Sequence, residues 1–325
     1  MRTLLSILLL ISGTFVTVLP GTEVPFNGKT GAGLRSAIAE SGRLTRVARK
    51  GELSGSVYDP FDGRTVNVVS GVLPDGYTWG ELVPAAWWED SGMYGDTVGC
   101  DLYNLFPLNR DVVAFRRDLV PGWVEDVVFA NGRWSAGYSE VVPVGAVEYY
   151  MPPEEFRGHL ARVFFYMAVM YPARVWSARG FMMMTGEAYP GLNEYARGLL
   201  MEWHEAFPVS DVERTKNDVV ATLQGNRNPF VDYPDLASYL WGEKAGEAFV
   251  VEGERVPLHG VYRLSDAWID LVSPDVPQDA VWSVDGVVSQ SDRYKPSELG
   301  LGWHELAYEC DGGNEKGYLR IRVVE

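Results

Sequence analysis

The chain has 325 residues, 46% hydrophobic and 22% charged, which suits one or two globular domains and excludes a disordered or fibrous protein. Its net charge is −16, so the overall field repels nucleic acid and any grip on phosphate must come from a local basic patch.

Met1-Arg2-Thr3, the apolar run Leu4 to Ile11 and a small-residue exit near Gly21 predict a signal peptide over residues 1–21. The run is too short for a membrane span. With no cysteine near the exit to carry a lipid, the mature protein is expected to be periplasmic or secreted. A helix is predicted from Leu34 to Ala39, followed by the turn-rich segments Tyr58-Asp59-Pro60 and Phe61-Asp62-Gly63. Gly28-Lys29-Thr30 is not a phosphate loop, because Glu23 stands where the first glycine is required.

From Asp101 to Gly122 the sequence predicts a short apolar strand or turn (Leu102, Leu105, Phe106) stopped by Pro107. An amphipathic helical turn carrying Arg116-Arg117 follows, closed by Pro121-Gly122. Adjacent guanidinium forks suit the oxygens of one phosphate, whereas the plainer reading is two solvated arginines on a surface helix.

Pro152 to Tyr171 reads as a helix opened by two prolines and two glutamates. Phe156, Leu160, Val163, Phe164 and Met167 form its apolar stripe; Glu155, His159, Arg162 and Tyr166 form a polar one, solvated or structurally satisfied. A second helix runs from the N-cap Asn193 to Phe207, burying Tyr195, Leu199, Leu200 and Trp203. A third begins at Ser210, with Glu213 completing a capping box, and ends at Gln224 before Gly225. Asn226 to Asp232 is then a polar loop that satisfies buried backbone groups, and Tyr233-Pro234-Asp235 starts a last short helix ending near Trp241-Gly242.

After Gly246 the pattern changes to strands: Ala248 to Val251, Ala267 to Val272, Val281 to Val284, Trp303 to Cys310 and Gly317 to Val324. Asp285-Gly286 and Asp311-Gly312-Gly313 supply hairpin turns. With Trp282 inside, these strands fit a small all-β immunoglobulin-like sandwich over residues 245–325, after a helix-rich α+β domain over 22–244. Secretion permits a Cys100–Cys310 disulfide, but one cysteine per domain reads rather as two buried thiols. No CxxC or Cys/His cluster offers a zinc site, and His159, His204, His259 and His304 are scattered.

Several of these segments, taken together, resemble the bacterial endonuclease I family of secreted, metal-dependent, nonspecific nucleases. Asp101-Leu102, Leu105, Pro107, Val112, Arg116 and Gly122 match its central motif in register. The similarity resumes at Pro152 to Gly158, at Ala161-Arg162 with Phe165-Tyr166-Met167, and at Glu202-Trp203-His204 with Pro208-Val209-Ser210. It is most specific in Gln224-Gly225-Asn226-Arg227-Asn228-Pro229-Phe230-Val231-Asp232. The resemblance implies a ββα-metal type core, with a glutamate and an asparagine on a divalent cation such as magnesium and a histidine as general base.

Departures fall on those same positions. Glu81 keeps the metal-binding carboxylate, but Leu82 stands where the general-base histidine belongs. Tyr103 and Asn104 replace the two histidines after Asp-Leu, Val113 the metal-binding asparagine, and Asp118 the asparagine after the arginine. Leucine cannot take a proton, and valine cannot ligate a cation that wants oxygen.

Three functions fit. The first is a catalytically degenerate nuclease that acts by binding a protein or glycan, with Leu82, Tyr103, Asn104 and Val113 as eroded positions. The second is an active endonuclease on DNA or RNA. There Glu81 holds magnesium, Asn104 supplies an oxygen, Arg116 or Arg117 binds phosphate, and Asp101 or Asp118 substitutes as base. The third is a surface adhesion or assembly protein working through the C-terminal sandwich.

Overall fold

The computed structural model describes residues 24–88, 97–139, 147–172, 175–249, 261–266, 268–271, 280–289, 293–310 and 315–325. The fold divides into a unit spanning Pro25–Val250 and another taking the chain from Val251 to Glu325. The expected signal peptide lies outside the described residues.

In chain order the first unit opens with helix α1 (Gly31–Ser41), then the hairpin β1 (Gly55–Asp59) and β2 (Arg64–Val68). The turn signals at residues 58–63 mark this hairpin. Asp59, fully buried, accepts hydrogen bonds from the Phe61 and Asp62 backbone through one oxygen. Its other oxygen accepts from the Asn109 backbone. Next come β3 (Tyr77–Glu81), the short helix α2 (Thr97–Cys100) and β4 (Leu105–Asn109), with β3 and β4 antiparallel. Pro107 does not stop the strand. It sits in the middle of β4, opposite Trp79, in a two-stranded sheet where one side of each strand has no ladder to donate to.

Helix α3 (Arg110–Arg116) follows at once, N-capped by the Asn109 side chain on Asp111 N at 2.9 Å. Strands β5 (Val120–Pro121), β6 (Asp126–Ala130), β7 (Ser135–Tyr138) and β8 (Glu148–Met151) form a sheet in the order β5-β8-β7-β6, with β5 and β8 parallel.

Helix α4 (Arg157–Met170) is the centre of this unit, buried without a break from Gly158 to Val169. The polar stripe read from the sequence is therefore not solvated: only Glu155, just before the helix, is exposed, on an ion pair with Arg133. His159, Arg162 and Tyr166 are buried; Arg162 and Tyr166 hydrogen-bond across the core, and His159 packs on the rings of Phe106 and Phe156. Helix α5 (Glu194–Ala206) begins at Asn193, whose side chain accepts from Ala196 N, and leaves Tyr195 half-buried rather than inside. It approaches α4 so closely that a Cβ on Gly158 would lie 2.0 Å from the Phe207 carbonyl oxygen. Helix α6 (Asp211–Gln224) is capped by Ser210 and stopped by Gly225 in the left-handed region, φ 73°. Ser210 Oγ accepts from Glu213 N at 3.3 Å, and the Glu213 carboxylate also turns inward to Arg162.

Helices α7 (Pro229–Asp232) and α8 (Leu236–Trp241) complete the unit. As expected, the Asn226–Asp232 segment satisfies buried groups. Asn226 donates to Gly42 O and the Tyr166 hydroxyl, and Asn228 accepts from Phe230 N and donates to Arg162 O. Asn228→Ala is expected to cost about 1–3 kcal/mol, since it removes the cap on buried Phe230 N and a second contact to Arg162 O. Urea denaturation checks this, and an unchanged midpoint would contradict it.

The second unit contains β9 (Val261–Arg263), β10 (Ile269–Asp270), β11 (Val281–Val284), β12 (Val287–Val288), β13 (Arg293–Tyr294), helix α9 (Pro296–Leu299), β14 (Gly302–Cys310) and β15 (Glu315–Val324). Five strands form one sheet in the order β12-β11-β14-β15-β9, with β9 parallel to β15, and β10 pairs with β13. The Asp285-Gly286 turn joins β11 to β12 with both residues at positive φ, as a tight hairpin requires. Ile269, Leu271, Trp282, Leu306, Tyr308 and Ile321 form its core. The Asp311 to Gly313 turn lies outside the described residues. Ala248 and Phe249 do not begin this part: Phe249 packs on Phe26, Tyr233 and Tyr239 in the first unit. Among the described residues neither Cys100 nor Cys310 forms a disulfide; Cys310 is buried and Cys100 half-buried.

Candidate functional site

The positions singled out in the sequence gather where β3 ends and α3 begins. Pairing of Glu81 with Leu105 lays the Asp101–Asn104 turn beside Leu82 and Val83. Leu82 N donates to Asn104 O at 3.1 Å. The Asn104 carboxamide is bonded at both ends to Val83, accepting from its N at 2.8 Å and donating to its O at 2.9 Å. Its side chain is thus a clamp holding two backbone segments together.

Leu82 is fully buried, and Val113, on α3, is half-buried. Glu81 is half-buried too, with one carboxylate oxygen accepting from Ala85 N at 2.7 Å. From the end of α3, Arg116 reaches back and donates to the Glu81 carbonyl at 2.5 Å. Only 3% exposed, its guanidinium lies 5.3 Å from the Tyr150 ring centroid and 5.9 Å from that of Phe61. Arg117 is exposed and paired with Glu148 at 2.8 Å. Neither arginine of the pair therefore stands as a solvated phosphate fork.

Asp101 is fully buried. It accepts from the hydroxyls of Tyr166 and Tyr171, both at 2.7 Å, from Gln224 at 3.0 Å and from Tyr103 N at 2.9 Å. The Tyr103 hydroxyl donates to Asn217 Oδ1 at 2.7 Å, and burial pushes it well above its ordinary range. Asp118 sits further out, 3.7 Å from Arg179.

A divalent cation of the kind the resemblance implies needs several oxygen ligands. Glu81 retains a carboxylate, but Val113 presents hydrocarbon and the Asn104 oxygen is engaged by Val83 N. The residues present do not fit such an ion. Among the described residues no group of three His, Cys, Asp or Glu side chains could hold a metal.

Sequence reading missed a cavity of about 200 Å³ beside α3, lined among others by Asp62, Asp111, Phe115 and Phe129. The available signal was Asp111 and Phe115, one helical turn apart and both exposed on α3.

Residues 62–235, more than half of the chain, match the family model for endonuclease I. An extracellular ribonuclease of Bacillus subtilis (strain 168) is 29% identical over 162 residues, 48% of this chain and 52% of that protein. One of Bacillus amyloliquefaciens is 27% identical over 175 residues, with the same shares. An extracellular endonuclease of Pseudomonas fluorescens biotype A is 32% identical over 81 residues, 25% of this chain and 28% of that protein. The chain spans about half the length of the two ribonucleases. On the family match, this chain belongs to the endonuclease I family.

Proposed function

We propose that this is a catalytically degenerate member of the endonuclease I family that acts by binding a protein or glycan partner. The observation that carries the reading is the use made of the family's reactive positions. Leu82 is sealed in the core, Val113 is hydrocarbon, and the Asn104 carboxamide and Arg116 guanidinium bond backbone. No proton acceptor stands at position 82, and loss of a general base alone costs about 10²–10⁴-fold in rate.

The protein is proposed to be secreted, supported by the Met1 to Gly21 segment and by relatives named as extracellular. Among the described residues no helix is long and apolar enough to cross a membrane. The C-terminal part is proposed as an immunoglobulin-like module, supported by its first described strand lying parallel to its last and by Trp282 in its core.

Thermal melting with and without manganese tests the reading. Wild type and Glu81→Ala are expected to respond identically to the metal. A stabilisation of wild type that Glu81→Ala abolishes would overturn it, because a ligand bound only by the folded state must raise stability.

A further inference from the structure

We propose that the cavity beside α3 binds a neutral saccharide ring. This inference rests on the binding reading above and names its site and ligand class. The cavity measures about 200 Å³, below the ~300–1,000 Å³ of drug-sized sites, so it suits one small ring rather than a long ligand.

Its apolar part is an aromatic platform. Phe115 is 48% exposed and stacks on Phe129, with ring centroids 4.1 Å apart and planes within 16°. Trp134 packs against Phe129 at 5.0 Å and also lines the cavity. An isolated exposed Phe needs no explanation, but a stacked pair at a cavity that also carries polar groups offers the C–H face of a sugar ring a surface to lie on.

The polar lining mixes acceptors with donors. Asp111 is exposed on the first turn of α3, and its carboxylate meets no protein donor among the described residues. Asp62 accepts from the Tyr77 hydroxyl through one oxygen, and the other lies 3.4 Å from Arg64 Nε. The amides of Asn109 and Asn131 are orientationally fixed. Asn109 Oδ1 accepts from Asp111 N, and Asn131 Oδ1 accepts from Arg133 N and Trp134 N. Those bonds hold the oxygens on the backbone and, among the described residues, leave both NH₂ groups without a protein acceptor.

This combination selects the ligand. A phosphate or nucleic-acid backbone would meet two carboxylates on a chain of net charge −16. An ammonium ion would be drawn by the two carboxylates but, having no acceptor, would leave the two amide donors unused. Hydroxyls, which donate and accept, can pair with both kinds of group at once.

The test is binding of the full-length mature protein to a printed array of neutral glycans, with sialylated glycans, spermine and single-stranded DNA as competing probes. Binding to at least one neutral glycan is expected, weakened roughly tenfold in Phe115→Ala and in Asp111→Asn. Asp111→Asn keeps the side-chain shape, so it decides the matter should Phe115→Ala fail to fold. Binding to no neutral glycan, binding unaffected by both substitutions, or Phe115-dependent binding only to a charged probe overturns the proposal. Manganese-dependent melting is read separately, so loss of the saccharide site and survival of a metal site give different results.

Discussion

Glu213→Gln is expected to destabilise the protein by about 3–5 kcal/mol, the typical cost of breaking a buried ion pair from one side. Arg162 and Glu213 are each 1% exposed and meet in a two-point fork, Nε to Oε1 at 2.6 Å and Nη2 to Oε2 at 2.7 Å. Burial alone would push the Glu213 carboxyl up. The Arg162 guanidinium beside it, with hydrogen bonds from Arg162 and the Ser210 backbone, outweighs that and holds it below its ordinary value. The amide of Gln would direct an N–H group at Arg162 Nη2 and leave the guanidinium charge uncompensated in the core. Its remaining contacts, Phe207 O at 3.1 Å and His204 Nδ1 at 3.2 Å, carry no formal charge. Replacing both partners by Met is expected to cost much less than the sum of the single changes, because no buried charge is then stranded. Urea denaturation of the four-member cycle checks this. A Glu213→Gln cost under about 1 kcal/mol would contradict the assigned role.

Acid should weaken the fold before the carboxylates titrate. Burial holds His159 down to about 4, and burial with the Arg162 charge holds His204 down to about 4. His159 packs edge-on against the rings of Phe106 and Phe156. His204 meets Arg162 through Nδ1 and also hydrogen-bonds to Pro234 backbone, the pattern of a neutral imidazole. In the unfolded chain both titrate near pH ~6.5. Between that value and about 4 the unfolded state holds protons that the folded state excludes, so stability falls as pH falls through this window. Each histidine contributes a slope of up to about 1.4 kcal/mol per pH unit, and none above the unfolded value. Glu213, with its folded value depressed, adds a loss in the same direction once pH drops below the ordinary carboxylate range. His159→Leu should remove one proton from the linkage and flatten the decline. Denaturation curves at pH 7, 6 and 5 that coincide for wild type would contradict the buried neutral state.

The helices were legible because caps are local. Asn193 and Ser210 cap the helices their sequences announce, and Gly225 stops α6 in the one conformation that favours glycine. Strands β1 and β2 were hidden among turn signals because the residues of β1 lack a clean alternation of buried and exposed positions. Pro107 misled for a physical reason: a proline breaks a central strand but not one side of a two-stranded ribbon. The burial of α4 could not be read from its own sequence. The partners of Arg162 and Tyr166, Glu213 and Asp101, lie 51 and 65 residues away along the chain.

At the candidate site the substitutions were legible and the consequences were not. That Leu82 and Val113 lack the needed chemistry follows from residue type. That Asn104 clamps Val83 and Arg116 turns inward to the Glu81 carbonyl depends on the β3–β4 register, which brings Glu81 to Leu105 across a long connection.

Hydrolysis itself tests the central claim most directly. Supercoiled plasmid and a long single-stranded RNA are incubated with the purified protein and with Glu81→Ala, each with magnesium, manganese or chelator. The account predicts that both proteins match the chelated control on both substrates. Metal-dependent cleavage by the wild-type chain that disappears in Glu81→Ala would contradict it and restore this protein to the active nucleases of its family.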